Sequence, residues 1–107
     1  MLILFDQATP VGIRHSLTGH IIKTAYEQRW STLLNGELLR VPEEAGFDLL
    51  LTRDKNLVYQ QNLTHRKIAI VVLSKNRWSL IKSALDRISA AVNDAKPGTY
   101  TMVEISG

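Results

Sequence analysis

The sequence predicts an α/β protein, a three-layer α/β/α sandwich in which a mostly parallel five-stranded sheet lies between helical layers. Two observations support this prediction. Short apolar runs typical of buried strands alternate along the chain with segments of helical periodicity. One run, KIAIVVL at residues 67–73, is continuously apolar and rich in β-branched residues, as expected for a strand covered on both faces. Strands that alternate with helices imply right-handed crossovers and parallel pairing.

The length and composition fit a single domain that spans residues 1–107. Its 45% hydrophobic and 21% charged residues are ordinary for a soluble globular protein. The chain has no cysteine, which excludes a disulfide framework, a thiolate zinc site and a cysteine nucleophile. Its apolar start ends at Asp6 after five residues and has no basic leader, so we expect a cytoplasmic protein without a membrane span.

The first predicted elements are a strand, a helix and a second strand. The apolar residues 2–5 form the first strand. Thr9 is the expected N-cap of a helix that begins at Pro10 and ends before Gly19, because proline suits the first helical position. Residues 20–24 form the second strand.

The next predicted elements are a helix that contains a proline and a third strand. Asn35 is expected to cap the helix, and Gly46 to end it. Pro42 lies inside this helix and removes a backbone hydrogen bond, so we expect a kink or a break near Val41. The third strand covers residues 47–52.

The remaining chain contains two predicted helices and two predicted strands. A short helix covers residues 55–61, and the central strand covers residues 67–73. Residues 78–92 form the clearest helix, because their apolar side chains recur at spacings of three and four. The alternating segment at residues 99–105 predicts a half-exposed last strand.

Three acids lie where parallel strands and their connections present ligand sites. Asp6 follows the first predicted strand, Asp54 follows the third, and Glu37 lies in the first turn of the middle helix. In open parallel sheets, ligands bind at the carboxyl ends of the strands where the strand order reverses. Neighbouring carboxylates repel one another unless a cation or a proton is shared, and Mg²⁺ or Mn²⁺ prefers oxygen ligands.

Each acid also has a purely structural interpretation. Asp6 can be a polar strand terminus, Glu37 a favourable charge at a helix N-terminus, and Asp54 the cap of the helix that follows it. The sequence leaves these interpretations open beside a shared metal site.

Three segments of the chain resemble a known family. The opening LILFDQATP, the middle NGELLRVPEEAGFDLLLTRDKNL and the strand KIAIVVLSKNRW are similar to small PIN-like domains. These domains are metal-dependent ribonucleases, and many are toxins of bacterial toxin–antitoxin pairs. The likeness covers roughly residues 1–88, and its most specific part is TRDKNL after the third strand, similar to the family's T-x-D-x-D-F.

The resemblance implies a set of site residues and an activity. Asp6, Glu37 and Asp54 would be the catalytic, metal-binding acids, with Thr52 as a supporting hydroxyl. Asn56 stands where many relatives have a fourth acid, and its amide oxygen would bind a second ion only weakly. The implied activity is hydrolysis of RNA phosphodiester bonds through a metal-activated water, with Mg²⁺ or Mn²⁺ as cofactor. The implied partners are RNA, a cognate antitoxin protein and a second copy of the chain in a homodimer.

The basic residues are concentrated in the second part of the chain. The net charge is +3, but residues 1–48 contain four Lys or Arg and six acids, whereas residues 49–107 contain nine and four. Four of the cations flank the ends of the third and fourth predicted strands and are expected to hold RNA phosphates: Arg53, Lys55, Lys75 and Arg77. A solvated rim of charges is the alternative interpretation.

The aromatic and histidine residues have less specific roles. Trp78 either stacks on an unpaired base or packs against the protein. Tyr26 and Trp30 either contact a partner or fill the core. The histidines lack metal-ligand spacing and are expected to be surface or packing residues: His15, His20 and His65.

Two other functions remain open on the sequence. Asp54, together with Ser74 and Lys75 after the fourth strand, superficially resembles a phosphoacceptor signalling domain, but Asp6 is followed by Gln7 and not by a second acid. The other candidate is a PIN-like module that binds RNA or protein and is catalytically weak or inactive. A nucleotide-cofactor enzyme is disfavoured, since no G-x-G-x-x-G or Walker motif follows a predicted strand.

Overall fold

Five parallel strands form the centre of the protein. A computed structural model describes residues 1–34, 36–57 and 65–106 of the chain. The strands are Leu2–Phe5 (β1), Ile21–Thr24 (β2), Leu49–Thr52 (β3), Ala69–Leu73 (β4) and Tyr100–Val103 (β5). Their order is β2-β1-β3-β4-β5, and every neighbouring pair is parallel. The predicted α/β architecture with a parallel five-stranded sheet is therefore confirmed, although four of the strands are shorter than predicted.

The helical segments connect these strands. They are a 3₁₀ helix at Val11–Ser16, the α-helices Gly36–Glu44 (α1), Trp78–Ile81 (α2) and Leu85–Asp94 (α3), and a 3₁₀ turn at Lys82–Ala84. The helix predicted for residues 55–61 falls mostly on residues outside the described part of the chain. No described helix has the length and apolar character needed to cross a membrane.

The first predicted helix is a 3₁₀ helix, and the prediction that Thr9 caps it is wrong. Pro10 is the residue before the helix, in an extended conformation. The first and last turns are closed by bonds from the Ile13 and Leu17 amides to carbonyls three residues earlier, each 3.2 Å long. Thr9 does not cap because its buried hydroxyl is bound to groups at the ends of two strands, described below.

Helix α1 continues through Pro42, so the predicted break near Val41 is wrong. Pro42 is buried, and its carbonyl accepts hydrogen bonds from the amides of Ala45 (3.1 Å) and Phe47 (3.0 Å), which close the last turn. Gly46 follows the helix with a φ of +91°, a conformation that strongly favours glycine, so its predicted role is confirmed. The expected cap, Asn35, lies outside the described residues.

The single helix predicted over residues 78–92 is two helices joined by a 3₁₀ turn. Ala84, before α3, has φ −114° and ψ 8°, outside helical geometry. The apolar residues that produced the periodic pattern still point to one side, since Ile81, Ala84 and Ile88 are all buried in the same cluster. The pattern of buried residues was therefore predicted correctly, but the local change of helix type was not.

Alternate strand residues contribute to two core clusters. One contains Ile3, Phe5, Leu49, Leu51, Ala69, Val71 and Leu73 with side chains from the first 3₁₀ helix and from α3. The other contains Leu4, Leu50, Ile70 and Val72 with side chains from α1. Both sides of the central strands are therefore buried, as their continuous apolar sequences predict.

The prediction that all strand-to-strand crossovers are right-handed is wrong. The β2-to-β3 and β4-to-β5 connections step across the sheet in the same direction. Their helices α1 and α3 belong to opposite core clusters, so the two crossovers have opposite hands. The physical reason is burial of the apolar sheet face. In the described part of the chain, the six-residue 3₁₀ helix covers this face incompletely, and α3 packs on the same face and buries more of it.

Candidate acid pocket and basic groove

The strand order reverses between β1 and β3. From β1 the chain crosses to β2 on one side, and from β2 it returns to β3 on the other. The connections that leave β1 and β3 therefore diverge and leave a crevice at the carboxyl ends of these strands. Phe5 pairs with Leu51, so the next residues, Asp6 and Thr52, are neighbours at this crevice.

The Asp6 carboxylate is held by three hydrogen-bond donors. Its Oδ1 accepts from the Ala8 amide (3.1 Å) and lies 2.7 Å from the Thr9 hydroxyl. The Thr9 hydroxyl is also 2.8 Å from the Leu51 carbonyl, so its single proton is shared between the two acceptors. The other carboxylate oxygen of Asp6, Oδ2, accepts from the hydroxyl of Thr52. A carboxylate offers roughly four acceptor positions, so one position on Oδ2 remains for a cation.

Thr52 links the two strand-end acids. Its fully buried hydroxyl donates to Asp6 and accepts a 3.0 Å hydrogen bond from the Asp54 amide. Asp54 Oδ1 accepts from the Asn56 amide at 3.0 Å, which is the local turn contact that a capping acid makes. Asp54 therefore has a structural role, and among the contacts of the described residues this role uses Oδ1.

Asp6 and Asp54 line the same pocket, which has a volume of about 170 Å³. We call it the acid pocket. The other residues that line it are Gln7, Ala8, Ala25, Trp30, Ser31, Leu33, Leu34 and Leu38. Two of the three predicted acids are thus brought to one crevice by strands that are distant in sequence.

Glu37, the third predicted acid, is paired with a cation on its own helix. Its carboxylate accepts from the Arg40 guanidinium at 2.6 Å and 3.3 Å, and Glu44 contacts the same guanidinium. The hydrogen bond that Arg40 donates to Glu37, with the charges of Glu37 and Glu44, raises the pKa of Arg40. The neighbour of Glu37, Leu38, lines the acid pocket, whereas the described lining does not include Glu37 itself.

The remaining predicted metal ligand, Asn56, lies on the surface. Its side chain is exposed, and its backbone amide is bound to Asp54. Within residues 1–34, 36–57 and 65–106, no group of three or more His, Cys, Asp or Glu side chains is arranged to hold a metal ion. Two carboxylates nevertheless match Mg²⁺, which is usually held by one or two carboxylates together with waters and substrate phosphates.

Three of the four predicted phosphate-binding cations line one open groove of about 400 Å³: Arg53, Lys75 and Arg77. Asn76 and Leu80 complete this basic groove. Asn76 Nδ2 donates to the Ala8 carbonyl at 3.2 Å, which ties the groove to the loop after Asp6. Lys55, the fourth predicted cation, is exposed and is not among the residues that line the groove in the described part of the chain.

Two consecutive residues connect the basic groove with the acid pocket. Arg53 lines the basic groove, and the next residue, Asp54, lines the acid pocket. A ligand that contacts both residues would therefore place an anionic group beside Arg53 and a cation beside Asp54.

Sequence reasoning missed the apolar wall of the acid pocket. Trp30 is half-buried there, and its ring makes an edge contact with Phe47 at a centroid distance of 5.5 Å. Leu33 and Leu34 extend the wall, but they lie in a segment without helical or strand periodicity. The only sequence signal was the presence of large apolar residues in that irregular segment.

Among the residues that the structure describes, the other aromatic and histidine side chains do not line the acid pocket. Trp78 is 42% exposed, and its ring packs so closely on Gly12 that a Cβ there would lie 2.6 Å from it. Tyr26 is 82% exposed. His20 connects the N-terminal ammonium (3.0 Å) to the Asn93 side chain (2.7 Å), which agrees with the predicted packing role.

No protein-family model, curated protein or solved structure matches this chain.

Proposed function

We propose that this chain is a PIN-like domain with a three-layer α/β/α architecture and that it is a metal-dependent endoribonuclease. The observation that supports this proposal best is the pair Asp6 and Asp54 in one pocket at the strand-order reversal, next to the basic groove. Carboxylates suit a hard divalent cation and the groove suits phosphates, so the two surfaces together suit a phosphodiester.

Asp6 and Asp54 would hold Mg²⁺ or Mn²⁺, and Thr52 and Thr9 keep Asp6 in position. Such an ion, when bound, makes water a better nucleophile and neutralises charge on the phosphate. The Thr52 hydroxyl keeps Asp6 Oδ2 at the crevice and also fixes the backbone at Asp54. Both carboxylates are therefore oriented before a ligand arrives, which favours catalysis because no reorganisation is needed at the moment of reaction.

Arg53 and Arg77 would bind the RNA backbone in the basic groove. Arginine forms forked hydrogen bonds with phosphate oxygens. Arg53 and Asp54 are consecutive residues, so an RNA strand in the groove would pass beside the acid pocket. Lys75 lines the same groove and would add a third positive charge.

Glu37 would join the metal site only after its ion pair with Arg40 opens. The pair is half-exposed, with side-chain exposures of 53% for Glu37 and 48% for Arg40. Exposed ion pairs of this kind contribute roughly 0–1 kcal/mol, so opening the pair costs little. Glu37 is therefore proposed as a metal ligand that joins Asp6 and Asp54 after its ion pair with Arg40 has opened.

The proposal is tested by cleavage of single-stranded RNA in Mn²⁺. Wild type is compared with Asp6→Asn and Asp54→Asn, which preserve side-chain size and remove a charged ligand. We expect a loss of about 100-fold or more in kcat/KM for each. Asp86→Asn is the matched control, because Asp86 is an exposed acid on α3. Equal activity in all four proteins would contradict the proposal.

A non-catalytic PIN-like module is the second candidate. Two observations favour it: Glu37 is paired with Arg40, and an uncharged Asn56 occupies the position of a fourth acid. Such a module would bind RNA with an affinity that does not change in Asp6→Asn, and it would cleave no RNA. The proposed role as the toxin of a toxin–antitoxin pair, with an antitoxin partner and a homodimer, depends on the first candidate.

A further inference from the structure

The acid pocket has an apolar half that a metal site does not require. Besides Asp6 and Asp54, its lining includes an apolar wall made of Ala25, Trp30, Leu33, Leu34 and Leu38. Leu34 is 71% exposed, and Trp30 and Leu33 are half-buried. These three side chains therefore present apolar surface that a ligand can cover.

The wall is fixed in position by the protein. The Trp30 amide donates to the Ala25 carbonyl at 2.8 Å, and the Trp30 carbonyl accepts from the Leu33 amide at 3.1 Å. The edge contact with Phe47 restrains the Trp30 ring. A ligand thus meets, beside two carboxylates, an apolar surface whose Trp30 ring and local backbone are already held in place, which lowers the ordering cost of binding.

The two surfaces around Asp54 together define the ligand class. The basic groove that Arg53 lines suits an anion, and the apolar wall of the acid pocket that Asp54 lines suits a flat apolar group. A nucleotide has both, because a phosphate is joined to a base whose faces stack on apolar and aromatic side chains. The pocket volume of about 170 Å³ is small, so it suits a single base and not a stacked base pair.

We infer that the apolar half of the acid pocket receives one unpaired nucleobase next to the phosphodiester that is cleaved. This inference rests on the proposed ribonuclease function. It assigns Trp30, Leu33 and Leu34 as residues that position the substrate, and it requires the RNA to be single-stranded at the site of cleavage.

The test uses a short single-stranded RNA whose cleaved bond has first been mapped with the wild-type protein. Each nucleotide next to that bond is then replaced by an abasic one. For wild type in Mn²⁺, removal of the base on one side should lower kcat/KM about tenfold or more. Leu34→Ser should lower cleavage of the intact RNA similarly, but should cause little further loss on the abasic RNA.

Two variants control for loss of structure. Ile21→Ser changes a similarly exposed apolar residue (63%) on strand β2, which does not line the pocket, and should cleave both RNAs as wild type does. Trp30→Phe retains an aromatic ring and should keep most of the preference for the intact RNA.

A second experiment measures stacking of the base in the bound RNA and not its cleavage. An RNA with the fluorescent base 2-aminopurine at the sensitive position is titrated with Asp54→Asn, which leaves the wall intact. Stacking should quench its fluorescence, and the added substitution Leu34→Ser should reduce the quenching.

The outcomes separate the two proposals. If wild type cleaves intact and abasic RNAs equally at both positions, or if no quenching occurs, this inference is wrong while the ribonuclease function stands. If wild type cleaves no RNA, both are wrong.

Discussion

The Asp6 carboxylate illustrates how a charged side chain is held in a half-buried position. Its donors come from the loop that follows β1 and from the end of β3, 46 residues away in sequence. These hydrogen bonds restrict the rotation of the carboxylate. Thr52 is the central residue of this network, because its single hydroxyl both donates to Asp6 and accepts from Asp54.

Thr52→Val should therefore impair stability and activity, whereas Thr52→Ser should preserve both. Valine matches the shape of threonine but removes the donor to Asp6 Oδ2 and the acceptor of the Asp54 amide, which should cost about 1–3 kcal/mol in the free energy of unfolding. We expect Mn²⁺-dependent cleavage to fall about 10- to 100-fold, as for other groups that orient metal ligands. Urea denaturation and kcat/KM measure the two effects. A Thr52→Val protein as stable and active as Thr52→Ser would show that this hydroxyl is dispensable.

At the residue scale, two of the three predicted acids, Asp6 and Asp54, line the crevice, but the sequence did not predict how they are bound. Thr9 fits a helix cap by residue type and position, yet its hydroxyl binds Asp6 and the Leu51 carbonyl. A capping preference is local, and it cannot reveal an acceptor on a strand 42 residues away. The pairing of Glu37 with Arg40 was readable, because their spacing of three residues on a helix brings them together.

At the element scale, Glu43 attaches α1 to the segment that leads into β4. Its carboxylate accepts from the amides of Lys67 (2.6 Å) and Ile68 (3.1 Å) and from the Arg66 guanidinium (3.1 Å). Burial acts to raise the pKa of Glu43, but the two amide hydrogen bonds and Arg66 together outweigh it and lower that pKa below its ordinary value of 4.5. Charged Glu43 therefore stabilises this junction.

Glu43→Gln should destabilise the protein in a pH-dependent manner. The pKa of Glu43 is lower in the folded state, so the unfolded state binds more protons near pH 4.5. The stabilisation is complete above that pH and declines as the pH falls through the folded-state pKa. We expect a difference of about 1–3 kcal/mol from wild type near neutral pH.

Urea denaturation from about pH 7 to about pH 3.5 measures this pH dependence. The difference between wild type and Glu43→Gln should shrink at the acidic end. Glu104→Gln, which changes an exposed acid on the last segment, is the control and should show no such trend. A difference that is constant over the whole range would contradict the assigned role of Glu43.

Some helices and strands could be predicted from the sequence because their apolar pattern is repeated over many residues. The continuous apolar sequences of β3 and β4 predicted buried strands, and the stripe around Ile88 predicted a buried helix face. The continuity of α1 through Pro42 was not readable, because it depends on burial of the proline ring and on closure of the last turn. The hand of the β4-to-β5 crossover depends on which strand face needs to be covered, and single elements do not contain that information.

At the scale of the whole molecule, the uneven charge along the chain becomes a localised surface. Arg53 and Arg77 come from segments that follow different strands, and the sheet brings them to one groove. The sequence predicted this proximity from the rule that parallel strands end at the same edge. It could not predict the apolar wall of the acid pocket, since the irregular segment that contains Trp30 has no periodicity.

The double variant Arg53→Gln/Arg77→Gln should bind RNA with a weaker dependence on salt. Each lost phosphate contact should reduce the slope of log K against log salt concentration by about 0.7 for single strands. Fluorescence anisotropy with a labelled single-stranded RNA in metal-free buffer measures this slope.

Arg87→Gln is the control, because Arg87 is exposed on α3 and does not line the basic groove. An unchanged slope in the double variant would mean that RNA phosphates do not bind in this groove.

The strand-order reversal has a consequence for the protein during its synthesis. A ribosome releases Asp6 early, but this carboxylate gains its partner on β3 only after residue 52 has emerged and β3 has paired with β1. Asp54 emerges directly after Thr52. In a nascent chain Asp6 and Asp54 are therefore not brought together until β3 has emerged and paired with β1, and any later detachment of β3 separates the two acids again.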